Sequence, residues 1–376
     1  MGHLLVTQPD ELYATAGPST VLRHPAGEDF RDPVRDDLLE TLRDVLCSGV
    51  HEDALTRVRR IHESARVTFS TAQHATRALC LALRVGLAAI PAVASAHGVA
   101  GQRFFPTTFA VDDPFMNDEF SVLLHSVEMK ADAPRSRIRT TSVGVGYSKT
   151  ILPGFGLQLD EEYLWLHSPG DPTASGVGNL GVTLKYQFLT SDSHETILSV
   201  GLSDEIGGTG SASVGAESFS TISPMLFFGK GLGDLPESLG VLRPLAVAGV
   251  VGPSFPTQRT RGGVVNPTTL NWGFTVQYSL MYLQSAVKDI GLGSPLNRLI
   301  ALVEIPLRTC LNAACVGPTT WTVNPGIVWI GKYMEVGAAA EIPVNTQPGS
   351  DIGVFVLVHL FIDDLFPGSI GRPILQ

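Results

Sequence analysis

The sequence predicts an all-β protein, an antiparallel transmembrane β-barrel of about twelve strands preceded by a signal peptide and a non-barrel N-terminal extension. Three observations predict it. Charged residues are only 16% of 376 positions, against about 25% in soluble domains. Mean hydropathy is +0.19, yet no run of 18 apolar residues is present to build a membrane helix. Apolar side chains fall instead on alternate positions in long stretches, and an export signal stands ahead of them.

That signal is the apolar run Val85-Gly-Leu-Ala-Ala-Ile-Pro-Ala-Val93, preceded by Arg77 and Arg84 and followed by Ala94-Ser-Ala96. A positive flank, a short apolar centre and a small-x-small site read as a secretory signal cleaved between Ala96 and His97; the run is too short to span a bilayer. Such signals belong at an N-terminus, so residues 67–96 are expected to be the signal, with Val67 as an alternative start. Residues 1–66 are then a spurious, disordered or helical extension, in which Leu38, Leu39, Leu42 and Leu46 mark one helical stripe. Residues 97–117 are expected to form a periplasmic lead or a lumen plug, 118–361 the barrel, and 362–376 a periplasmic tail.

Within the barrel, strands are expected near 118–128, 138–148, 155–167, 177–189, 195–205, 217–229, 241–252, 269–283, 298–308, 322–331, 333–343 and 351–361. Twelve is an even number, as single-chain bacterial barrels require. In 155–167, Tyr163 and Trp165 suit an aromatic girdle, as does Trp329 later in the chain. In 177–189, Leu180, Val182, Leu184, Tyr186 and Phe188 alternate with Gly181, Thr183, Lys185 and Gln187. The clearest period-two stretch sets Leu270, Trp272, Phe274, Val276, Tyr278 and Leu280 against Asn271, Gly273, Thr275, Gln277 and Ser279. In 333–343 the apolar set is Met334, Val336, Ala338, Ala340 and Ile342. The last strand is apolar on both faces, which suits plug packing or a path for hydrophobic solutes. Strands this long fit a tilted membrane strand of about 9–11 residues. Short gaps at 149–154, 190–194 and Lys332 alternate with longer outer ones, whereas 230–240 and 284–297 are long for periplasmic turns. Gly207-Gly-Thr-Gly-Ser211 lacks the lysine of a phosphate loop and reads as an external loop.

With the apolar face toward lipid, Gln158, Asp160, Glu162, Lys185, Gln277, Glu304, Glu335 and Glu341 line the lumen. An excess of carboxylates favours cations or neutral polar solutes; equally, the interior is polar because water or a plug fills it. Arg135, Arg137 and Arg139 share one face at the outer rim, where guanidinium groups suit lipopolysaccharide phosphates, or form an ordinary solvated rim. Cys310 and Cys315 are a candidate disulfide around Leu311–Ala314, or two free thiols. From His97 onward 16 basic residues face 24 acidic ones, a balance that disfavours nucleic acid.

No enzyme is expected. Ser199, Ser203, His125, His167, His194 and His359 supply the parts of a surface hydrolase, but their spacing proposes no set, and no Gly-x-Ser-x-Gly, His-x-His or Cys-x-x-Cys occurs. No metal or cofactor is expected.

The segment Arg103-Phe-Phe-Pro106, Asp112-Asp-Pro-Phe115 and Asn117-Asp-Glu119, with the tail Asp363-Asp-Leu-Phe-Pro367 and Gly371-Arg-Pro373, resembles proteobacterial outer-membrane barrel proteins grouped as transporters near the phenol-degradation meta-pathway barrel family. The resemblance implies an outer-membrane barrel and uptake of small organic compounds. One departure is the tail: many such proteins end on an aromatic residue, whereas fifteen residues follow Phe361. The expected partners are outer-membrane lipid, lipopolysaccharide, the barrel assembly machinery and a small solute. The expected function is passive passage of small, hydrophobic or aromatic solutes, with a closed structural or adhesion barrel and an outer-membrane lipid hydrolase as alternatives.

Overall fold

The computed structural model describes residues 98–130, 137–312, 319–345 and 351–375. The signal and extension lie outside the described residues. Twelve strands form the wall: β1 (Glu119–Lys130), β2 (Arg137–Leu152), β3 (Phe155–His167), β4 (Leu180–Ser191), β5 (Thr196–Ile206), β6 (Thr221–Gly231), β7 (Leu245–Pro256), β8 (Thr269–Ser279), β9 (Leu299–Cys310), β10 (Thr319–Ile330), β11 (Met334–Pro343) and β12 (Gly353–Phe361). Each pairs antiparallel with its neighbour in the chain. β12 returns to β1 from Val354↔Ser126 to Phe361↔Glu119, so the sheet closes and no edge is left.

Closure gives the period-two pattern its meaning. On β8, Thr269, Asn271, Gly273, Thr275, Gln277 and Ser279 are buried inside, while Trp272 and Val276 are exposed outside. The same outward set continues around the wall in Leu124, Leu184, Leu202, Leu226, Val251, Ile327 and Val354. An apolar surface this extensive on all sides is far larger than the patches soluble monomers expose. Among the described residues no helix is long and apolar enough to cross a membrane; here the strands carry the apolar surface.

The two rims differ. At the lower rim β2 and β3 join through Pro153-Gly154, with Gly154 at φ +73°, and β10 and β11 join through 331–333. The long lower connections at 232–244 and 280–298 are real, yet the strands flanking each stay in register. Several expected limits move by up to four residues, among them the start at 217, now Thr221, and the end at 148, now Leu152; two others have clear local reasons. The strand expected through 283 stops at Ser279, because its hydroxyl accepts the Tyr282 amide and starts a helical stretch, Leu280–Val287. The strand expected from 241 begins at Leu245, since Glu237–Leu242 winds as a 3-10 helix after Pro236. At the upper rim a short strand, Ala174–Val177, pairs with the top of β3, and Gly207–Ser211 lies in the β5–β6 loop.

Residues 98–118 run inside the barrel rather than along its wall. Phe105 and Phe109 are at most 1% exposed. Phe109 joins Leu123, Ile300, Leu302, Val328, Phe355 and Leu357 in one cluster, which accounts for the inner apolar face of β12. Phe105 joins Ile197, Ala246 and Ala248 in another. The C-terminal tail folds back on the lower rim, where Lys149 donates to the Ile370 carbonyl at 2.9 Å and the Ile374 amide donates to Thr150 O.

Candidate functional site

The site has two levels, a plug in the lower half of the lumen and a polar belt above it. The plug begins at Arg103, only 1% exposed. Its Nε donates to Glu195 Oε2 at 3.1 Å and its Nη1 to Pro244 O at 2.8 Å, and the guanidinium sits 3.8 Å from the centre of the Tyr282 ring. Burial pushes the Tyr282 phenol up to about 12, so the ring beneath the cation stays neutral. Glu195 holds a left-handed backbone at φ +45°, strained for a residue with a side chain. It also accepts the Gly233 amide at 3.0 Å.

Higher up, the wall's acids hold plug backbone. The Thr107 amide donates to Glu335 at 3.1 Å, and the Phe109 and Ala110 amides donate to the two oxygens of Glu304 at 2.8 and 3.0 Å. On the return, Lys185 donates to Asp113 O at 3.1 Å, Ser199 donates to Pro114 O, and the Met116 amide donates to Gln187. Irregular backbone in a water-poor interior must have all such groups paired. These side chains supply the partners.

Space for the plug comes from glycines on the inward face. A Cβ at Gly337 would lie 2.8 Å from the Phe109 ring, one at Gly229 within 3.0 Å of Pro114, and one at Gly273 3.0 Å from Val111. The wall is bare where the plug is bulky.

Above the plug, His125 Nε2 lies 2.7 Å from Glu341 Oε2. The two residues sit on β1 and β11, on either side of β12, and the carboxylate crosses over at Gly353, where a Cβ would fall 2.5 Å from it. The His125 ring stacks on Phe355 with centroids 4.3 Å apart. Glu162 on β3 lies within electrostatic reach of His125 and of Glu205 on β5. Arg308, inward on β9, lies within electrostatic reach of Glu205. It sits four residues up from Glu304, roughly 10 Å along the axis for a tilted strand. Following register from strand to strand around the tilted wall brings these five residues to one level.

The inward residues expected from the sequence thus divide by height. Lys185, Glu304 and Glu335 are taken up by the plug. Glu162 and Glu341 stand in the belt. Asp160 accepts both hydrogen bonds of Gln158 Nε2 just below it, and Gln277 is buried in the lower wall. Arg137 and Arg139 point outward near the upper rim, where both donate to Glu128, at 3.1 and 2.9 Å; Arg135 lies outside the described residues. Cys310 is disulfide-bonded, and Cys315, Ala96 and His97 lie outside the described residues.

Sequence reasoning did not single out His125, Glu205 or Arg308 as belt residues, or Arg103 and Glu195 as a latch. It also missed a Ser–His–acid alignment, with Ser121 Oγ 2.7 Å from His359 Nδ1 and Glu119 Oε2 3.6 Å from His359 Nε2. Those three are each at most 8% exposed, behind the Phe104–Phe361 ring contact. Ser199, a candidate nucleophile, is wholly buried against the plug. Among the described residues no group of three His, Cys, Asp or Glu side chains is placed to hold a metal.

The chain matches no protein-family model and no curated protein. Among solved structures it is similar to the KdgM porin, at 14% identity and TM-score 0.38, over 64% of this chain and 98% of that one. It is similar to the NanC porin at 9% identity and TM-score 0.41, again over 64% and 98%. It is also similar to the β domain of the Bordetella autotransporter BrkA, at 14% identity and TM-score 0.35, over 65% and 99%.

Proposed function

We propose that this chain is an outer-membrane β-barrel that passes small solutes, with residues 98–118 as its gate. Three short turns at the lower rim, at 153–154, 192–195 and 331–333, favour a periplasmic lower end, with 232–244 and 280–298 as the long exceptions. The observation that carries the reading is the glycine wall behind the plug. Inward side chains fill barrels of about eight strands unaided; this wider wall of twelve instead receives a separate segment against bare glycines. Here the filling is a separate piece of chain held by hydrogen bonds from wall side chains, by the Arg103–Glu195 pair and by the apolar seats of Phe105 and Phe109. Withdrawal exposes Gly229, Gly273, Gly326 and Gly337 and opens a path.

The apolar inner face of β12 supports this role, because Phe355 and Leu357 are occupied by the plug cluster. Aromatic solutes, implied by the phenol-pathway resemblance, therefore find no free apolar wall while the plug is seated. At the upper rim, lipopolysaccharide phosphates would compete with Glu128 for Arg137 and Arg139. The test is solute entry into liposomes carrying the purified full chain, with conductance in parallel. Slow entry and a small, intermittent conductance are expected; no entry and no conductance would establish the closed structural barrel instead.

A further inference from the structure

We propose that the belt above the plug is a binding site for small zwitterions, the ammonium group taken by Glu162, Glu205 and Glu341 and the carboxylate by Arg308. This rests on the lumen being a solute path and names what the path selects.

The charges of the belt are arranged unequally around the ring. β9, which carries Arg308, stands across the twelve-stranded wall from β3, which carries Glu162. Glu205 and Glu341 lie on strands between those two, one on each side. Arg308 is half-buried and makes no side-chain hydrogen bond or ion pair among the described residues. A guanidinium in that position favours a carboxylate that offers two oxygens to its fork.

The carboxylate side is also incomplete. Glu162 Oε2 is shielded from water and makes no full hydrogen bond, although the Ser142 hydroxyl lies near the carboxylate. His125 Nδ1 and Thr140 Oγ1, both on inward residues only 2% exposed, have no hydrogen-bond partner. Buried polar atoms without partners are costly, and a ligand bearing donors beside Glu162 relieves that cost. Glu341 is already fixed by His125, so it contributes charge in a set position.

These facts rank ligand classes. A simple anion meets three carboxylates and is repelled. A simple cation is attracted, but leaves Arg308 without a partner. A neutral polyol pairs hydroxyls but satisfies neither charge. A molecule with an ammonium group at one end and a carboxylate at the other satisfies both walls at once, and the field between them orients it along the ring's diameter.

The test is equilibrium binding to the detergent-purified full chain, with heat-modifiable gel mobility confirming a folded barrel in every variant. The probes are 4-aminobutyrate, n-butylamine and butyrate, which share a carbon chain and differ in charge. The amino acid is expected to bind at least about tenfold more tightly than either single-charge analogue, as a lost charge-assisted pair implies. Arg308→Gln is expected to erase its advantage over butylamine, and Glu162→Gln to erase its advantage over butyrate. Equal binding of butylamine and 4-aminobutyrate, a preference unchanged in Arg308→Gln, or no binding by the folded wild type would each overturn the proposal. Liposome entry separates the two readings. Entry without belt binding overturns the site and leaves the channel; belt binding without entry leaves the site and removes the channel.

Discussion

The ring of Phe109 lies against the bare backbone of Gly337, where a Cβ would fall 2.8 Å from the ring's Cζ. The contact joins the plug to the wall strand β11. Gly337→Leu puts four carbons into occupied space, and overpacking of this kind costs about 1–3 kcal/mol. The barrel has its own hydrogen-bonded wall, so the cost falls on the plug. The expected result is a barrel that keeps its heat-modifiable mobility while residues near Phe109 become open to added protease. Protection equal to wild type would show that Phe109 does not depend on this gap.

Glu304 accepts two plug amides, one on each oxygen. A buried N–H that loses its acceptor costs about 1–3 kcal/mol. In Glu304→Gln the side-chain amide keeps one acceptor and presents a donor to the other N–H. Hydrogen exchange at Phe109 and Ala110 is expected to quicken by about ten- to a hundredfold, since each 1.4 kcal/mol is a factor of ten. Unchanged exchange at both amides would show that the plug is held elsewhere.

Arg103 and Glu195 form the buried ion pair of the lower latch, with side chains 1% and 6% exposed. Removing one member strands the other, and broken buried pairs cost about 3–5 kcal/mol. Arg103→Ala is expected to lower stability by that amount in a urea titration. Adding Glu195→Gln removes the stranded charge and recovers part of the loss. A double variant no better than the single one would count against the pair as the source.

Leu226 and Phe255 both point outward, Leu226 near mid-height of β6 and Phe255 near the upper end of β7. On a wall facing lipid the cost of a charge depends on depth, about 2–4 kcal/mol for arginine at the midplane and about 0–1 near the interface. Leu226→Arg is therefore expected to destabilise refolding into vesicles by the larger figure and Phe255→Arg by the smaller. On a wall facing water both changes would stay within about 0.5 kcal/mol.

The wall was legible in the sequence because a strand's two faces are set by alternation, which survives without knowledge of partners. Lys185, Glu304, Glu335 and Glu341 all point inward on that ground alone. The strand limits at Ser279 and Leu245 were less legible, since one hydroxyl cap and a turn after Pro236 decided them. The plug was harder still. Residues 98–118 have no period to read, and their place follows from amide-to-carboxylate contacts between residues about two hundred positions apart. The His125–Glu341 contact has the same origin, because it exists only once β12 closes on β1. Arg308 looked like any charged residue until closure set it across from Glu162.

As proposed, residues 98–118 gate a path through this barrel. Single-channel conductance tests it most directly, comparing the wild type with a chain lacking residues 98–115, both shown to fold by heat-modifiable mobility. A small, intermittent conductance is expected from the wild type and a several-fold larger, steady one from the shortened chain. Equal conductance from the two, or none from the shortened barrel, would contradict it.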